Sequence, residues 1–97
     1  MVVVRVPDAR TLEISGHADA GEKGGDIVCA GVSAVAMSVA GAIEDRRLDA
    51  HIRIDEGYLL IRAEETAACF VIATAVSGLR RIAAQYPDYV RIEEEKI

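Results

Sequence analysis

Residues 16–33 read GHADAGEKGGDIVCAGVS and hold one of the two histidines and one of the two cysteines of the chain. An imidazole and a thiol brought together form the base and nucleophile of a cysteine hydrolase. Asp26 reads as a helix N-cap, because an aspartate side chain accepts hydrogen bonds from the first unpaired helical amides. Cys29 would then be the third helical residue. There the partial positive charge of the helix start favours thiolate over thiol, and the unpaired amides could hold an oxyanion. His17 follows Gly16 at the end of a strand, so its ring can project from the sheet. Between the two residues, Gly21, Gly24 and Gly25 lie in a loop (Ala18 to Gly25) that can move.

The residues around this pair carry second roles. Asp26 is a cap first and an orienter of His17 second. Ser33, one turn after Cys29, shares its helical face, and a packing hydroxyl is the simpler role for it. Spacing alone also allows an inert Cys–His pair. A metal site from His17, Asp19, Glu22 and Cys29 is conceivable, but this spacing fits no standard zinc pattern. Cys69 sits in an apolar helical pattern and reads as a small core residue. His51, inside an alternating strand, reads as a surface residue.

The elements that must hold these residues follow from apolar periodicity. Val2 to Val6 is a β-branched run, and Thr11 to Ser15 alternates Leu12 and Ile14 with polar positions, so the two form a hairpin around Pro7 and Asp8. After the glycine loop comes a helix with Val28, Val32, Val35, Val39 and Ile43 on one stripe. Gly31, Ala34, Ser38 and Gly41 form a second stripe without bulk, suited to close approach of another helix. The charged group Glu44 to Arg47 ends this helix. His51 to Asp55 and Tyr58 to Ala63 are a second hairpin, with Gly57 supplying the backbone freedom of its turn. A second helix spans about Thr66 to Tyr86, presenting Ile72, Val76, Leu79, Ile82 and Ala83, and Pro87 lies just past its end. Tyr89 to Glu93 is a last strand before a solvated acidic tail. The order is β-β-α-β-β-α-β, an α+β domain with a mostly antiparallel sheet and two helices laid on it.

Composition narrows the function classes. The chain has 97 residues, 52% of them hydrophobic, enough for one small core and one domain spanning residues 1–97. A net charge of −5 argues against nucleic-acid binding and is compatible with a basic partner. The run Ile27 to Ile43 is uncharged and seventeen residues long, at the lower limit for a membrane span. It is rich in small residues and only weakly hydrophobic, so a core helix is the better reading and no membrane is expected. Cysteine spacing matches no zinc site or disulfide framework, and the N-terminal residues lack a secretory pattern. Both point to the cytoplasm.

The segments GHA (16–18) and GDIVCAGVS (25–33) resemble the signature of the ribosomal-processing cysteine protease Prp family. The likeness runs along nearly the whole chain, in element order as well as motif. The resemblance implies an endopeptidase that removes a short N-terminal extension from large-subunit ribosomal protein number twenty-seven, supporting ribosome assembly. It also implies His17 as general base, Cys29 as nucleophile, a homodimer, a ribosomal protein precursor with an apolar, aromatic segment before the cut as substrate, and no metal or organic cofactor. Two rival readings stand beside it. One is a non-catalytic module binding a ribosomal or other basic protein, with Cys29 buried; the other is a redox-sensing thiol protein, disfavoured because no CxxC is present.

Overall fold

The computed structural model describes residues 1–17 and 25–95, and for Gly25 and Asp26 the backbone alone. Seven elements follow in the expected order: β1 (Val2–Asp8), β2 (Thr11–Ser15), α1 (Gly25–Asp45), β3 (Ala50–Asp55), β4 (Tyr58–Ala63), α2 (Thr66–Gln85) and β5 (Val90–Glu94). The strands form one sheet in the order β3-β4-β2-β1-β5. Three pairings are antiparallel, and the fourth, β1 with β5, is parallel, starting at Val2 opposite Val90.

Alternation sorts each strand into two faces. Val2, Val4, Leu12, Ile14, Leu59, Ile61, Ala63 and Val90 are buried beneath the helices. The opposite face carries charge in register: Arg5 stands opposite Glu13 in one pairing and opposite Glu93 in the other. Arg5 reaches Glu13 at 3.1 Å and Glu93 at 3.8 Å, and Tyr58 donates its hydroxyl to Glu13 at 2.8 Å. A sheet with one apolar and one polar face forms two layers, and both helices sit on the apolar one.

The helices supply the other half of the core. Val28, Val32, Val39, Ala40 and Ile43 of α1 are buried, as are Ala68, Ile72, Ala75, Val76 and Leu79 of α2. Both helices are long and apolar enough to cross a membrane by length and composition. Here each turns one stripe onto the sheet. The predicted second stripe of α1 divides: a Cβ on Gly31 would meet Ile82 of α2 at 3.7 Å, whereas Ala34 and Ser38 face outward. Gly31 alone of that stripe shows the close helix approach expected.

Two local boundaries differ from expectation. The first hairpin turns at Ala9 and Arg10 instead of Pro7 and Asp8, because Asp8 Oδ1 accepts the Arg10 amide at 2.8 Å and closes the turn one step later. The pairing register slips between Arg5 and Asp8, a bulge that accommodates Pro7, which has no amide to donate. The helix α1 starts at Gly25, so Gly25 belongs to the helix and Asp26 lies inside its first turn rather than ahead of it as the cap. Gly21 and Gly24, the rest of the proposed mobile loop, lie outside the described residues, as does the side chain of Asp26.

Candidate active site

Position in α1 sets the environment of Cys29. With Gly25 as first helical residue, Cys29 is the fifth rather than the third. Its own amide then falls within the i to i−4 ladder and is not among the unpaired amides of the helix start. Helical Cα–Cβ bonds tilt toward the N-terminus, so the Cys29 side chain leans over the first turn. Cys29 is half-buried and packs against the core, and Cys69 in α2 does likewise.

His17 is held at the end of β2 by backbone bonds on either side. The Gly16 amide donates to the Gly57 carbonyl at 3.0 Å, and the Met1 nitrogen donates to the His17 carbonyl at 2.6 Å. Gly16 has φ +87° and leaves room for the Met1 carbonyl oxygen, which any Cβ there would strike. Strand end, N-terminal strand and the β3–β4 turn thus converge at His17.

His17, Cys29 and Ser33 line one cavity of about 210 Å³. Its walls are otherwise mostly apolar: Val2, Ile14, Val32, Ala36 and Leu59 form the interior, and Met37 and Ile54, both exposed, stand among the lining residues. Asp55, Gly57 and Tyr58 complete it from the β3–β4 hairpin. A larger cavity of about 380 Å³ lies between α2 and the far ends of β1 and β5, lined by residues such as Ile72, Val76, Arg80 and Glu94. It contains neither a histidine nor a cysteine, so its size does not mark the chemistry.

Sequence reasoning found the two residues that could react and missed the hairpin that faces them. Gly57 was legible only as a turn, and Ile54, Asp55 and Tyr58 only as strand positions. No local pattern tells a strand end that it will border a helix from an earlier part of the chain. His51 is exposed, as expected, and is absent from the cavity. Among the described residues, no three metal-ligating side chains gather.

Residues 1–91 match the family model of the cysteine protease Prp. The chain belongs to the Prp cysteine protease family. A curated relative, the ribosomal processing cysteine protease Prp of Staphylococcus aureus strain Mu50, is 35% identical over 85 residues, covering 81% of this chain and 80% of its own. Two crystal structures of the essential ribosomal processing protease Prp from S. aureus, one with a covalently linked product peptide and one with a substrate peptide, share the fold. Each is 31% identical and covers 97% of both chains, with TM-scores of 0.79 and 0.80. Membership makes this chain a cysteine protease and sets aside the reading as a non-catalytic binding module. As a Prp-family member it has the five-stranded, two-helix architecture that the periodicity predicted.

Proposed function

We propose that the chain is the endopeptidase that removes the short N-terminal extension of large-subunit ribosomal protein number twenty-seven, with Cys29 as nucleophile and His17 as general base. The observation that carries this reading is the shared cavity: a half-buried thiol and an imidazole on separate elements border one apolar depression. The Prp relative named for ribosomal processing supports the substrate class.

The chemistry follows from the two groups. Cys29 Sγ attacks the scissile carbonyl while His17 takes the thiol proton, and the carbonyl π electrons move onto oxygen. Collapse of the tetrahedral species breaks the C–N bond, and His17 returns the proton to the leaving amine. The remaining thioester is hydrolysed by water that His17 deprotonates, and the proton passes back to the departing thiolate. Helix-start amides ahead of Cys29 are the donors for the oxyanion. Met37 and Ile54, exposed at the cavity mouth, give an apolar side chain of the peptide a surface to cover, which suits an apolar, aromatic segment before the cut. Asp26 and Ser33 are supporting residues in this scheme.

The same reading includes a homodimer in the cytoplasm. Ile27 and Phe70, 67% and 76% exposed on α1 and α2, are the apolar surface that a second copy would cover.

The deciding experiment incubates the purified chain with the full-length precursor of the ribosomal protein and reads the products by mass spectrometry. Release of the intact extension at a single bond supports the proposal. An untouched precursor beside efficient cleavage of another ribosomal precursor would assign a different substrate.

A further inference from the structure

The ring of His17 occupies the space in which a side chain at position 57 would begin. Gly57 forms the β3–β4 turn with φ +68°, and a Cβ built on it would stand 2.6 Å from His17 Nε2, 3.3 Å from Cε1 and 3.4 Å from Cδ2. The first distance is far below any ordinary carbon–nitrogen contact. The other two are nearly equal, so the Nε2 corner of the ring, not one edge, meets the turn. Turn and strand end are also joined through the backbone, by the Gly16 amide on the Gly57 carbonyl at 3.0 Å. The ring therefore rests against a wall that cannot shift independently of its own strand.

We propose that Gly57 is a positioning residue for the protease: its missing side chain is the seat of the His17 imidazole. The inference rests on His17 being the base. A left-handed φ alone accounts for glycine in a turn, but asparagine adopts that conformation too. Only glycine leaves the seat open. A side chain at 57 would push the exposed ring aside, so the fold survives while the base leaves its place in the cavity it shares with Cys29. A displacement of about 1 Å in a catalytic group costs about 100-fold in rate.

The test has a structural and a kinetic arm. In the unmodified chain, NMR should show nuclear Overhauser contacts between the His17 ring protons and Gly57 Hα, and their absence would overturn the proposal without any variant. Gly57→Asn, which keeps the turn conformation, should abolish those contacts, lower kcat about 100-fold and leave KM within about twofold. In a His17→Ala background, Gly57→Asn should cause no further loss in the alkylation rate of Cys29, since the turn acts through the ring. A Gly57→Asn enzyme with unchanged kcat, or a loss that persists undiminished without the ring, overturns the seat. Cleavage that survives His17→Ala, with the ring contacts seen in the unmodified chain, overturns His17 as base and leaves the seat standing.

Discussion

His17 and Cys29, one at the end of β2 and the other in α1, border the same cavity of about 210 Å³. Neither element carries both groups, so the pair exists only in the folded chain. That arrangement makes the two cysteines separable by experiment. Cys29→Ala should reduce cleavage of a peptide spanning the extension junction by at least about 1000-fold, because no other thiol borders the cavity. Cys69→Ala, in α2 and outside the cavity, should keep nearly full activity and lose about 1 kcal/mol of stability. Peptide turnover and chemical denaturation of both variants check this. A Cys29→Ala protein that still turns over would remove the thiol from the mechanism.

Met37 and Ile54 are exposed yet line the cavity, one from α1 and one from β3. Exposed apolar side chains at a mouth contribute little to folding but can bury area against a ligand. Met37→Ser and Ile54→Ser should each lower kcat/KM for an apolar peptide by about tenfold, with unfolding midpoints nearly unchanged. Replacing the apolar residue before the cut by a polar one should reduce the unmodified enzyme to a similar level. Unaltered kcat/KM in both variants would show that the peptide takes another route.

Phe70 lies on the outer side of α2 with 76% of its surface in contact with solvent. A second copy is the proposed cover. Sedimentation at micromolar concentration should give twice the 10.4 kDa chain mass, and Phe70→Ser should move the distribution toward the single chain. A single-chain mass for the unmodified protein at rising concentration would refute the dimer.

The polar face of the sheet predicts a pH dependence. The hydroxyl of Tyr58, followed by the guanidinium of Arg5, holds the Glu13 carboxyl below its ordinary 4.5. Folding therefore favours the ionised form: the stability it contributes is present above that ordinary value and is lost as pH falls through the lowered one. The same bond raises the Tyr58 hydroxyl above 10.0, so its contribution is present below 10.0 and lost as pH rises through the raised value. Glu13→Gln should therefore be less stable than the parent at neutral pH, and the gap should narrow below about pH 4.5. Urea midpoints across pH 2.5–8 (roughly the acid limb and plateau) test this, and a constant gap would mean that the bond does not couple to titration.

Much of the fold and half of the site can be read from the chain itself, because those features depend on neighbours in sequence. Alternation at Leu12 and Ile14, and helical spacing from Val28 to Ile43, are set by which faces must leave water, and they mark each element without reference to the others. His17 and Cys29 stand out in the same local way, by residue type beside a strand end and a helix start. Hydrogen-bond closure shifted only the details, as when Asp8 carried the first turn on to Arg10. Tertiary structure alone decided what depends on distant segments. It paired β1 with β5 in parallel, joining residues nearly the whole chain apart, and it brought the β3–β4 hairpin against His17. The reason for a glycine at 57 illustrates the division. Its turn is a local requirement and legible, whereas the ring that fills its vacant side-chain position arrives from forty residues earlier, by packing that no periodicity encodes.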